Sequence, residues 1–135
     1  MKKAIILAAF LLCAFAPIRP SGVYGEDNRR DLFEIENPAV RELANSTAAM
    51  ISNSSIQAID ANTYKVKAEV IGKKYGFCPD ERFFNQPTVA DCSATLVAPD
   101  VLLTAGHCMG PGECDANTFV FGYAMKSPQD FPQTF

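Results

Sequence analysis

The chain has 135 residues, with 12 lysines and arginines against 15 aspartates and glutamates, a formal net charge of −3 and no tryptophan. No basic cluster breaks this acidic balance, which argues against nucleic acid or an anionic membrane surface as a partner. The length suits one small apolar core, and no cofactor is expected.

The chain opens like an export signal. Lys2 and Lys3 form a positive end, and residues 4–16 are an uninterrupted apolar stretch too short to cross a bilayer as a helix. Residues 1–25 are therefore expected to be a signal peptide, cut between Arg19 and Glu26, so that the mature chain is secreted or periplasmic without a stable membrane anchor. Its removal takes Lys2, Lys3 and Arg19 and no acid, leaving nine basic side chains against fifteen acidic ones in about 110 residues. That is enough chain for one small core and too little for two closed barrels.

Residues 26–61 read as an amino-terminal or pro-segment. Asp27, Asn28, Arg29, Arg30 and Asp31 form a mixed-charge head whose default is a solvated surface, with the Arg29-Arg30 pair also a candidate processing point. Asn37 followed by Pro38 is a helix start, with proline at the first helical position. Val40, Leu43, Thr47 and Met50 recur at near-helical spacing, yet residues 48–51 fit a strand equally well. Residues 52–55, Ser-Asn-Ser-Ser, end either element.

From residue 62 onward the signals are those of an all-β fold. Residues 64–70 alternate apolar and charged side chains, as a half-buried strand does. Phe77, Phe83 and Phe84 flank Cys78 in a loop with Pro79 and Pro87, and are expected to pack beneath it. Residues 92–97 and 101–103 are apolar, β-prone runs separated by Ala98-Pro99-Asp100, a turn sequence, so the segment predicts a β-hairpin. The reversal returns Cys92 and Cys108 to the same neighbourhood. Residues 109–112 form a loop, and residues 118–125 read as a further strand.

The most informative stretch is Leu103-Thr104-Ala105-Gly106-His107-Cys108, which holds the only histidine of the chain. An imidazole held at a strand end, with small residues beside it, has the room a general base needs for a nucleophile and a substrate. A zinc site built from His107 and the cysteines is disfavoured by spacing. Adjacent residues of an extended segment point to opposite faces, and no Cys-x-x-Cys or His-x-x-x-His pair is present.

Residues 92–108 resemble the histidine-box region of trypsin-fold serine proteases, in which a cysteine-bearing strand precedes Thr-Ala-Gly-His-Cys. Residues 23–31 and 77–83 are similar to segments of the secreted glutamyl-endopeptidase-like, V8-type branch of that superfamily. The resemblance implies that residues 62–135 are the incomplete first barrel of a double β-barrel peptidase. In it His107 would take the proton of a catalytic serine while a buried aspartate orients the ring. It also implies a Cys92–Cys108 disulfide, in line with the hairpin, and leaves Cys78 to pair with Cys114.

The resemblance places the aspartate several strands beyond the histidine and the serine in a Gly-Asp-Ser-Gly-type loop of the second barrel. Asp115, Asp130, Ser93 and Ser127 do not fit those roles, so the 135-residue chain alone is expected to be inactive. Ala94 departs from a pattern that carries glycine there, and would strain the backbone only if left-handed angles were required. The implied function is secreted serine endopeptidase activity on protein or peptide substrates. The alternatives are an inactive protease homologue acting as a binding module and a small disulfide-bonded exported structural protein.

Overall fold

The structure, a computed structural model, describes residues 26–135; the expected signal peptide lies outside the described residues. The fold is mainly β. Its elements in chain order are α1 (Pro38–Asn45), β1 (Thr47–Ser52), β2 (Ile56–Ala58), β3 (Tyr64–Val66), β4 (Glu69–Val70), α2 (Ile71–Tyr75), β5 (Pro87–Thr88), β6 (Cys92–Ala98), β7 (Val101–Thr104), α3 (Glu113–Ala116) and β8 (Asn117–Phe121). One-turn 3₁₀ segments occur at Leu32–Glu34, Asn53–Ser55 and Gly106–Cys108. No barrel closes among the described residues, and none of their helices is long and apolar enough to cross a membrane.

The organising element is an antiparallel four-stranded sheet in the order β7-β6-β1-β8. The pairing Ala49 with Ser93 and Val120 puts these side chains on one face, and Ala48 with Ala94 and Phe121 on the other. Ile51 and Val120 join Val66 and Val89 in the main core. Ala48, Met50 and Ala94 are buried on the opposite face. Covered on both sides, β1 needs apolar side chains at successive positions, which is why Ala-Ala-Met-Ile carries neither a helical nor an alternating period.

The stretch 47–52, assigned to an amino-terminal segment, is an interior strand of the sheet, so residues on both sides of residue 61 build one core. The two readings of residues 38–51 are both realised in succession. Asn37 caps α1 by accepting from the Ala39 N–H at 3.0 Å, Pro38 occupies its first turn, and the chain becomes β1 at Thr47.

The alternating stretch 64–70 is extended but split between partners. β3 pairs with β2, while β4 pairs with β5. Val66 is buried and Lys65, Lys67 and Glu69 are exposed, as the alternation requires. Residues 133–135 line the other edge of β3, with Tyr64 and Phe135 exchanging backbone hydrogen bonds at 3.0 Å. The expected strand over 118–125 stops at Phe121.

Between β4 and β5 the chain turns through α2, which ends at Gly76 in the left-handed conformation, φ 67°, that glycine adopts without a Cβ penalty. Phe84 packs directly on Gly72, where a Cβ would collide with the ring. The mixed-charge head is not simply solvated. Arg29 and Arg82 lie over the ring of Phe83, 5.2 and 4.7 Å from its centroid. Arg82 also pairs with Glu34 at 3.2 Å, and the Gln86 amide donates to both carboxylate oxygens of Asp31 at 2.8 and 2.9 Å. Residues 27–34 are thus tied across the loop at 82–86.

Candidate functional site around His107

The hairpin forms as expected. β6 and β7 pair antiparallel, with Ala98 opposite Val101 and only Pro99-Asp100 between them. The register has one irregularity between Leu96 and Ala98, and then places Ala94 opposite Thr104. The Thr104 hydroxyl donates to the Ser93 carbonyl at 2.8 Å, fastening the end of β7 to its neighbour. Ala94 is 2 % exposed and has no left-handed backbone angle, so its methyl group costs no strain.

Beyond Thr104 the backbone leaves the ladder and curls. Ala105 caps the Gly106–Cys108 turn, with the Cys108 N–H donating to the Ala105 carbonyl at 2.9 Å. A Cβ at Gly106 would meet no atom within 4 Å, so the space beside the histidine is open. His107 is exposed on this turn, while Cys108 is buried.

A disulfide joins Cys108 to Cys92 across a separation of 16 residues, with Cα atoms 6.2 Å apart. It ties the turn after β7 to the first residue of β6, next to Met50 of β1. The imidazole is therefore carried on a short turn anchored at one end by the hairpin ladder and at the other by a covalent bridge. The second expected bridge is absent. Cys78 and Cys114 are exposed free thiols among the described residues, one in the loop after α2 and the other in α3.

A ring nitrogen of His107 and the sulfurs of Cys92 and Cys108 lie within 4.8 Å of one another. Sequence spacing gave no sign of this, because it treated residues 107 and 108 as extended neighbours. The 3₁₀ turn, prefigured only by Gly106, brings both side chains to the Cys92 end of the hairpin. What keeps this cluster from holding a metal is the disulfide, since a ligand cysteine must be a thiolate.

Among the described residues, none of the other polar residues considered for catalysis is hydrogen-bonded or ion-paired to the ring. The Asp115 carbonyl accepts from the Asn53 amide at 2.8 Å, and Asp130 forms an isolated bridge with Ser127. Among the described residues the ion pairs are Arg29–Asp27 and Arg82–Glu34, so no carboxylate pairs with His107. An apolar cavity of about 390 Å³ lies between β3, β8 and Phe135, and a second of about 330 Å³ between residues 31–34 and 79–86. His107 lines neither. The chain matches no protein-family model, no curated protein and no solved structure.

Proposed function

We propose that this chain is the histidine-bearing front part of a secreted, trypsin-like serine endopeptidase in which His107 is the general base. The observation that carries the reading is an exposed imidazole on a turn anchored by the Thr104–Ser93 hydrogen bond and the Cys92–Cys108 bridge. A base in proton transfer must keep one geometry toward a hydroxyl through the reaction, and a doubly anchored turn restricts the motions that would spoil it. The open space beside Gly106 leaves room for a nucleophile and a scissile carbonyl.

In this reading the incomplete first barrel is the sheet around β6 and β7. A serine and an aspartate outside these 135 residues complete the triad. His107 accepts the serine proton as the hydroxyl attacks an amide carbonyl, then returns it to the leaving amine.

The test is fluorophosphonate labelling of the native exported gene product, together with the reading frame beyond codon 135. Labelling of the wild type is expected, with hydrolysis of peptide substrates lowered by at least about a thousandfold in His107→Ala. Residues 26–135 alone are expected to hydrolyse neither ester nor peptide. A native product that takes no label and cleaves nothing would overturn the reading in favour of an inactive homologue or an exported structural protein.

A further inference from the structure

We propose that reduction of the Cys92–Cys108 disulfide turns the histidine corner into a binding site for a thiophilic divalent cation, Zn²⁺ above all, with Cys92, Cys108 and His107 as the three protein ligands. A His107 ring nitrogen lies within 4.8 Å of both sulfurs, which are bonded to each other until reduction frees them to separate. Two thiolates bound to zinc stand about 3.8 Å apart, from metal–sulfur distances of about 2.3 Å. Rotation about the Cα–Cβ bonds of the two cysteines, whose Cα atoms are 6.2 Å apart, would open the sulfurs to that distance. Two sulfurs and an imidazole are a donor set that zinc prefers over oxygen-seeking cations such as magnesium or calcium.

The backbone that carries the ligands is held by more than the sulfur–sulfur bond. Cys92 is fixed by its pairing with Met50 in β1 and by the β6–β7 ladder. Cys108 is held by its N–H to the Ala105 carbonyl, in a turn that begins where the Thr104 hydroxyl fastens β7. Reduction removes one of the two anchors of the histidine turn and leaves those backbone bonds, so the thiols stay on neighbouring segments and a shared cation would replace the bridge as their tie. Burial of Cys108 supplies a dry side, and exposure of His107 leaves a fourth position open to water.

The chemistry balances with a dithiol as reductant. It delivers two electrons and two protons, the Cys92–Cys108 bond breaks to two thiols, and the dithiol becomes a disulfide. Capture of the cation then releases the two cysteine protons to solvent, while the neutral imidazole contributes its lone pair. A lone pair engaged on a metal cannot accept a proton, so capture would silence His107 as a base. That consequence rests on the protease reading, whereas the capture itself does not.

The test uses Co²⁺ as a spectroscopic probe on the full chain carrying Cys13→Ser, Cys78→Ser and Cys114→Ser. After reduction by a phosphine, one equivalent of Co²⁺ is expected to give thiolate-to-metal charge-transfer absorption and the intense visible bands of a tetrahedral site, and Zn²⁺ is expected to bleach them. The oxidised chain is expected to give none. His107→Ala is expected to weaken binding at least about tenfold. Far-ultraviolet circular dichroism before cobalt addition checks that the reduced chain keeps its strands.

Absence of the bands would overturn the proposal, as would equal affinity in His107→Ala. So would a reduced chain that loses its strands and does not regain them with cobalt. None of these readouts involves proteolysis, so they stand or fall separately from fluorophosphonate labelling.

Discussion

The disulfide-bearing hairpin and the amino-terminal stretch tied across residues 82–86 are held by opposite means. The hairpin has backbone pairing interrupted only between Leu96 and Ala98, a buried Ala94 and a covalent bridge. The amino-terminal stretch has only side-chain contacts, namely two guanidiniums on Phe83, the exposed Arg82–Glu34 pair and the part-buried Gln86–Asp31 bonds. Exposed ion pairs are worth at most about 1 kcal/mol each and weaken with salt. Geometry that chemistry must rely on is therefore found in the hairpin, and the amino-terminal stretch is free to change with conditions.

The sharpest way to break this comparison is to remove the bridge. Closing a 16-residue separation stabilises by about 3 kcal/mol on the chain-entropy account, so Cys92→Ser/Cys108→Ser is expected to lower the urea midpoint substantially. Cys78→Ser/Cys114→Ser, which removes two exposed free thiols, is expected to leave the midpoint unchanged. Equal shifts in the two double variants would show that the bridge contributes nothing special.

A smaller effect is expected where α2 packs on the loop at 82–86 that holds the amino-terminal stretch. Alanine at Gly72 would drive a methyl group into the Phe84 ring, an overpacking that costs about 1–3 kcal/mol. Gly72→Ala/Phe84→Leu should recover part of that loss, because the smaller side chain vacates the contested space. A Gly72→Ala protein as stable as the parent, by urea unfolding, would mean that the loop shifts freely away from α2.

How much of this was legible in the sequence differs along the same line. The hairpin announces itself because Pro99-Asp100 supplies turn chemistry between two apolar runs, all within a dozen or so residues. β1 is ambiguous because burial on both faces erases any period from Ala48, Ala49, Met50 and Ile51. The curl at Gly106–Cys108 depends on angles that treating residues 107 and 108 as neighbours of an extended segment does not contain. Hence the gathering of His107 with both sulfurs emerges only in three dimensions. The ties between residues 27–34 and 82–86 span separations of 48 to 55 residues, and nothing local in a mixed-charge run says which distant aromatic ring it will meet.

The smallest expected effect is a dependence on acid confined to the amino-terminal stretch. The Arg29 side chain, donating to both Asp27 carboxylate oxygens at 2.8 Å, holds that carboxyl at about 2, below its ordinary 3.8. A folded-state value below the unfolded one means that the contribution is fully present above about pH 4 and is lost as the pH falls toward 2. Because the pair is exposed, the loss is small and should shrink further in high salt. In thermal melts, Asp27→Asn should remove part of the steepening of the midpoint between pH 4 and pH 2 while leaving the neutral-pH midpoint almost where it was. The same change should leave exchange protection of the β6–β7 amides untouched, because the hairpin's hold on His107 runs through the ladder and the bridge. If protection of the hairpin fell together with the Asp27 pair, the two regions would be one cooperative unit, and the contrast between them would have to be abandoned.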